Sequence, residues 1–150
     1  MAEIKASDVQ KLRETTGAGV MDCKRALDET GGNFAEALEL IKKRGVAIAE
    51  KKSGREAKAG LIEAYVHNNR IGVLLEIHAE TDFVARSEPF KELAHLIVTH
   101  IAAMNPATVD ELLKQLHVRN EKETINDLLI ATIAKVGENI KVERFTRYEI

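Results

Sequence analysis

The spacing of apolar side chains changes near Gly60, and this change limits the possible folds more than any other feature of the sequence. Before Gly60 the apolar residues recur every three to four positions, as they do in helices. Over residues 71–79 they instead occupy every second position, which predicts a strand with one strongly apolar face. Residues 61–66 supply a partner strand, and the His-Asn-Asn-Arg sequence at 67–70 predicts a hairpin turn, since asparagine accepts left-handed backbone.

The N-terminal 45 residues are expected to form a module of three short helices. Ser7 is a candidate cap for the first helix, which should end at the Gly17–Gly19 segment. Gly31 and Gly32 should end the second, and Asn33 offers a cap for the third. Gly45 is expected to close the module, and residues 46–59 should follow as a basic helical linker.

Residues 60–150 are expected to form an α+β core. After the two strands, Ser87 should cap a long helix that ends at Pro106. Thr108 and Glu111 suggest a capping box for a short helix through Leu116. A last helix over 125–136 and a strand over 140–150 complete the prediction, which is a three-stranded antiparallel sheet packed by helices.

The charge distribution argues against a nucleic-acid partner. The net charge is −2, although residues 1–60 hold 12 basic and 10 acidic side chains while 61–150 hold 10 and 14. The basic residues concentrate at 42–58 without the aromatic side chains that stack on bases, so a solvated helix face is the preferred interpretation. No apolar run reaches the roughly 18 residues of a membrane span, and a lone cysteine suits a reducing compartment. A cytoplasmic protein with no membrane contact is expected.

Few residues have the pattern of a chemical site. The glycines at 54 and 60 lack the Gly-Lys-Ser/Thr ending of a phosphate loop. If the second strand extends to Asp82, Glu76, His78, Glu80 and Asp82 share one face and could hold a hard cation, but the solvated face of a half-buried strand is the preferred interpretation. Helical spacing places Cys23 on a packing face, as a structural thiol. No metal, cofactor or catalytic residue is expected.

The junction at residues 81–86, Thr-Asp-Phe-Val-Ala-Arg, is unusual because an acid and a phenylalanine stand together between a strand and a helix. On composition alone, Phe83 would fold back into the core and Asp82 would cap a turn. Three segments nevertheless resemble hallmarks of a known family, in the same order along the chain. They are Leu-Arg-Glu at 12–14 with Thr16 to Leu27, Thr81 to Arg86, and Ala134 to Ile140.

On these motifs the chain resembles the bacterial translation elongation factor Ts family. The resemblance implies an N-terminal three-helix module similar to ubiquitin-associated domains, joined to an α+β core. It also implies a guanine nucleotide exchange factor for elongation factor Tu, without an active site of its own. The sequence departs from the family pattern by its short segment at 107–136, where family members commonly carry an additional insertion or a second core subdomain.

The resemblance also implies which residues contact the partner. Phe83 would wedge into the nucleotide-binding domain and disturb its magnesium and phosphate site, and His100 would lie near the phosphate-loop contact. The N-terminal surface and the end of the last helix would dock on the same domain. The implied contact residues are Thr81, Asp82, Phe83, Val84, Arg13, Val20, Met21, Asp22, Cys23, Lys24, His100, Val136 and Gly137.

Two alternative functions stay open at this point. A ubiquitin-associated-type adaptor would bind through the 17–21 loop, and a metal-dependent enzyme would use Glu76, His78, Glu80 and Asp82. A homodimer is also expected, because helices can cover only one face of a three-stranded sheet and the other carries Leu74. In that dimer, Phe83 of one subunit and His100 of the other would face the same partner molecule.

Overall fold

The computed structural model describes residues 3–150 and contains the expected mixture of helices and strands. Its helices are α1 (Ala6–Thr16), α2 (Val20–Glu29), α3 (Phe34–Lys52), α4 (Asp82–Ala85), α5 (Glu88–Met104), α6 (Val109–Lys114) and α7 (Ile125–Val136). Its strands are β1 (Ala59–His67), β2 (Ile71–Ala79), β3 (Leu116–His117), β4 (Asn120–Thr124) and β5 (Ile140–Glu149). Within residues 3–150, no helix has the length and apolarity needed to cross a membrane.

A three-stranded antiparallel sheet in the order β1-β2-β5 organises the core, and confirms the α+β prediction. The hairpin is confirmed as well: His67 pairs with Ile71, and the turn residues Asn68 and Asn69 have φ of 50° and 56°. The apolar face of β2 packs under α5, and α7 packs against α5 within the same core. The largest fully buried side chains of this core are Phe90, Leu75, Ile77, Ile97, Ile101, Leu112 and Ile125.

The three N-terminal helices surround a separate, smaller apolar cluster. Leu12, Cys23, Ala26, Leu27 and Ala37 are its buried members. The predicted helix ends are confirmed at Gly17, which has φ of 70°, and at Asn33, whose Oδ1 accepts from the Glu36 amide at 3.3 Å. The start of α1 differs from the prediction. This helix begins at Ala6 after Lys5, so Ser7 lies inside it and does not cap it.

Helix α3 does not end at Gly45 but continues for seven more residues to Lys52. The predicted helical linker is therefore helical over residues 46–52 and not over residues 53–58. Gly45 is buried against α7, where a Cβ at this position would lie 3.7 Å from Ala134 Cβ and 3.9 Å from Ile130 Cγ2. Glycine lowers helix stability, but it allows two helices to approach closely, and here the tertiary contact decides the outcome. The division into domains at 45 and 59 stays a prediction, although one helix crosses the first boundary.

The region between α5 and α7 also differs from the prediction. Helix α6 ends at Lys114, and residues 116–124 form a small hairpin of β3 and β4 that the apolar spacing did not indicate. Thr108 Oγ1 accepts from the Glu111 amide, but the Glu111 carboxylate accepts from Ala107, so the predicted capping box is only half formed. The complete capping box lies at the start of α7, between Thr124 and Asp127.

Candidate functional site

Phe83 stands out from the surface on the single helical turn α4. Its side chain is 85% exposed, while the next two residues, Val84 and Ala85, are buried in the core. Thr81 caps the turn, since its Oγ1 accepts from the Val84 amide at 3.3 Å. The expectation that Phe83 folds back as core is therefore wrong. The turn is anchored by its second half and presents the aromatic ring to solvent.

Two carboxylates join this turn to the loop that follows α7, and we call this set of contacts the Glu80–Glu138 clamp. Glu138 Oε1 accepts from the Thr81 amide at 3.0 Å, and Glu138 Oε2 accepts from Thr81 Oγ1 at 2.8 Å. In the opposite direction, Glu80 Oε1 accepts from the Asn139 amide at 2.8 Å. Hydrogen bonds thus run in both directions between residues 80–81 and residues 138–139, and they join two motifs that lie nearly 60 residues apart in the sequence.

A third segment, the connection between α3 and β1, supports the clamp. The Arg55 carbonyl accepts from Asn139 Nδ2 at 2.8 Å, and the Arg55 guanidinium lies 3.6 Å from Glu80 Oε2. Nearby, Gly60 lies so close to β2 that a Cβ would overlap the Ile77 carbonyl oxygen. The α3–β1 connection is therefore held tightly against the base of the Phe83 turn.

The N-terminal motif reaches the same region through α7. Gly17 lies beside Lys135 in the last turn of that helix, where a Cβ would be 3.5 Å from Lys135 Cδ. Arg13, Val20 and Lys24 line an open cleft of about 770 Å³ together with Lys135. Only Gly137, in the left-handed conformation, separates α7 from Glu138. The structure therefore brings all three motifs into one connected region.

The residues of α2 divide into exposed and buried sets. Val20 and Met21 are exposed, Met21 at 64%, and Asp22 lies on the surface 3.9 Å from Arg25. Cys23 is fully buried, with Sγ 3.8 Å from the Ala18 carbonyl, and burial raises the pKa of its thiol. The prediction that Cys23 contacts a partner needs correction, because helical spacing turns it inward. Its other interpretation, as a structural thiol, agrees with this position.

His100 also lies away from the surface. Its ring is fully buried, with Nε2 2.9 Å from Gln115 Oε1, and it stacks on His117 at 6.1 Å between centroids. Burial is the largest cause that lowers the pKa of both imidazoles. His100 cannot face a partner in this structure, and Val84 is likewise buried. No local pattern in the sequence indicates the contact of His100 with Gln115 and His117, because these two residues return to α5 only through the tertiary fold.

The four candidate cation ligands do not converge. Glu76 and His78 lie on β2, whereas Glu80 follows the end of this strand and Asp82 begins α4. Within residues 3–150, no group of three or more His, Cys, Asp or Glu side chains is arranged to hold a metal ion. Glu76 Oε2 instead accepts from Arg144 at 3.0 Å, and Glu80 belongs to the clamp. The solvated-strand interpretation accounts for the positions of Glu76 and His78.

Comparison with known proteins identifies the family. The family model described as elongation factor TS matches residues 80–150, which include the Phe83 turn and the clamp. Over 99% of its length, the chain is 42% identical to elongation factor Ts of Thermotoga petrophila, and the match covers 96% of that protein. The chain belongs to the elongation factor Ts family. Elongation factor Ts of Fervidobacterium nodosum is 42% identical over 99% of this chain and 98% of its own length.

The family assignment gives this protein a role in translation elongation, and it also shows that the chain is short for an elongation factor Ts. The alignment with the Thermotoga petrophila protein spans 192 positions, which exceeds the 150 residues here by 42. At least 42 positions of that relative therefore have no counterpart in this chain. The expectation of a shortened form agrees with this difference.

Proposed function

We propose that this protein is a guanine nucleotide exchange factor that binds elongation factor Tu and promotes the release of GDP. The observation that carries the proposal is the Phe83 ring, which is 85% exposed on a turn that the clamp holds in place. Exposed aromatic rings on ordered turns are typical of interface anchors, because they bury a large area on binding and have few rotatable bonds to immobilise.

Ordering of the turn before binding favours tight association. An interface that must first order a flexible loop loses part of its binding free energy to conformational entropy. Here Val84 and Ala85 are already buried, and Thr81 already caps the turn. Phe83 can therefore enter a partner without further folding, and we propose that it wedges beside the magnesium and phosphate site, with Asp82 next to it.

The N-terminal surface provides a second contact in this proposal. Val20 and Met21 form an exposed apolar pair, and Arg13 and Lys24 place positive charge beside it in the cleft. An apolar centre with a charged rim is the usual composition of a protein interface. Val136 and Gly137, at the end of α7, lie between this surface and the clamp and complete the proposed contact.

Exchange of this kind needs no bond chemistry. If the factor binds nucleotide-free elongation factor Tu more tightly than the GDP form, thermodynamic linkage weakens GDP binding by the same ratio. A wedge that fits only when the magnesium site is distorted produces this difference in affinity. The proposal therefore assigns the protein no active site and no cofactor, and its partner is elongation factor Tu.

The direct test is the release of fluorescent GDP from elongation factor Tu, with and without this protein. We expect release to accelerate and to saturate as the protein concentration rises. We also expect the acceleration to shrink when EDTA has already removed magnesium, because the wedge then has less left to disturb. Release at the spontaneous rate over the full concentration range would contradict the proposal.

We further propose that the protein forms a homodimer through the outer face of its sheet. The strand register places exposed apolar side chains of β1, β2 and β5 together on this face, which lies opposite the helices. These exposed residues are Ile62, Val66, Leu74 and Tyr148. A face of this kind can pair with itself around a two-fold axis. Because His100 is buried, it no longer has a place in the composite surface that the sequence suggested.

A further inference from the structure

The orientation of Phe83 depends on contacts outside its own turn. Helix α4 has four residues, and an isolated single turn is unstable because nucleation costs more than one hydrogen bond returns. Burial of Val84 and Ala85 fixes the end of the turn, but Asp82 and Phe83 lie in its exposed first half. The beginning of the turn must therefore be fixed by another group.

That group is the carboxylate of Glu138. Its Oε1 accepts a hydrogen bond from the Thr81 amide at 3.0 Å, and its Oε2 accepts one from the Thr81 hydroxyl at 2.8 Å. The Thr81 hydroxyl donates to Glu138 and at the same time accepts from the Val84 amide at 3.3 Å. A continuous chain of hydrogen bonds thus runs from Glu138 through Thr81 to the backbone on the far side of Phe83.

Glu138 itself is well placed to act as a fixed point. It follows Gly137, whose amide bonds the Ile133 carbonyl at 2.9 Å and so ends α7 in a defined position. On its other side, Asn139 is held by Glu80 and by the Arg55 carbonyl. The carboxylate therefore projects from a short segment that is secured at both ends.

We propose that Glu138 is a positioning residue, which sets the direction of the Phe83 ring by fixing Thr81, and does not need to contact the partner. This inference rests on the proposed exchange function. Its chemical basis is the bidentate geometry: alanine at 138 replaces a fixed acceptor of the Thr81 amide and hydroxyl with mobile water, while the buried anchors of the turn stay intact.

The first experiment compares the stimulated GDP release of Glu138→Ala and Glu121→Ala. Glu121 is an exposed glutamate on β4 that takes no part in the clamp, and it serves as the matched control. We expect Glu138→Ala to lower stimulated release about tenfold, equivalent to about 1.4 kcal/mol, and to weaken amide-exchange protection at Val84. Glu121→Ala should change neither. Wild-type release and wild-type protection in Glu138→Ala would overturn the inference.

The second experiment combines Glu138→Ala with Phe83→Ala. If Glu138 acts through Phe83, its removal should cost nothing further once the ring is absent, so the two effects should not add. A further tenfold loss in the double variant would show that Glu138 acts by another route. Thr81→Val should behave like Glu138→Ala, because it removes the hydroxyl that links Glu138 to the Val84 amide.

The outcomes separate this inference from the proposed function. If the Phe83→Ala variant still stimulates GDP release from elongation factor Tu at the wild-type rate, the proposed wedge is wrong and the exchange proposal needs another site. If Phe83→Ala is impaired but Glu138→Ala is not, only the positioning role fails. Should Glu138→Ala unfold, Glu138→Gln replaces it, since the amide oxygen still accepts from Thr81; we then expect a loss smaller than tenfold but a measurable weakening of protection at Val84.

Discussion

At the scale of single residues, exposure decides which of the predicted contacts can exist. Phe83 and Cys23 illustrate the two outcomes: the first projects into solvent, and the second is enclosed by α1, α2 and the 17–19 loop. Sequence spacing predicted the burial of Cys23 correctly, because α2 is a regular helix with one apolar face. It could not predict the exposure of Phe83, because a single turn has no periodicity and its orientation depends on Glu138, far away in the chain.

The exposed ring leads to a prediction for Phe83→Ala. We expect stimulated GDP release to fall at least thirtyfold, since loss of an interface anchor costs about 2 kcal/mol or more. Stability should change by less than about 0.5 kcal/mol, because the ring packs little against the protein. Paired measurements of release and thermal unfolding check both parts. As a control, Phe90→Ala removes a fully buried ring and should lower stability by about 3–5 kcal/mol.

At the scale of elements, the continuation of α3 past Gly45 is the main difference from the sequence-based description. A glycine followed by a basic segment looks like the end of a helix, and only the surface of α7 shows why the helix continues. The pairing of two helices distant in sequence leaves no local signal. The β1–β2 hairpin, in contrast, was predictable because its alternation, its turn residues and its register are all local.

The space around Gly45 permits a test of this helix contact. A Cβ at 45 would meet Ala134 and Ile130 at ordinary van der Waals distances. We therefore expect Gly45→Ala to raise the unfolding free energy by about 0.5–1 kcal/mol through better helix propensity. Gly45→Leu should lower it, because the larger side chain would push α3 away from α7. Chemical denaturation of both variants measures whether the unfolding free energy rises or falls. Destabilisation by alanine would mean that α3 and α7 lie closer together than the structure shows.

The contact between α5 and the β3–β4 hairpin predicts a pH dependence of stability. Burial lowers the pKa of His100 and of His117 in the folded protein below the ordinary value of 6.5. For His117, the charge of Arg119 lowers the pKa further, and the charge of Glu123 raises it. The unfolded chain therefore binds more protons as pH falls below 6.5, so stability is greatest above this pH and decreases below it. The slope should not exceed about 1.4 kcal/mol per pH unit for each histidine.

Denaturation at a series of pH values between 5 and 7.5 checks this dependence. His117→Phe should reduce the slope, because it removes one titrating group and keeps an aromatic ring against His100. An unchanged slope in His117→Phe would assign the acid sensitivity to other groups.

At the scale of the whole molecule, the outer face of the sheet predicts self-association. Sedimentation equilibrium at micromolar concentration should give about 33 kDa, twice the chain mass of 16.6 kDa. Leu74→Asp should yield a folded monomer, because a carboxylate at the centre of the face would lose its water on pairing. Val46→Asp, at an exposed position on α3, should remain dimeric. A monomeric wild-type protein with full exchange activity would contradict the dimer.

The uninterrupted helix α3 also determines how the two proposed contacts cooperate. Its 19 residues extend about 28 Å without a flexible linker, and it packs on the same α7 that leads to Glu138. Once the N-terminal helices dock, Phe83 is therefore presented at a high effective concentration and at one fixed distance. This avidity has a strict geometric condition. In the proposed exchange, a partner whose two contact surfaces moved apart would lose one contact, because a rigid factor cannot follow both, and the loss of one would weaken the other.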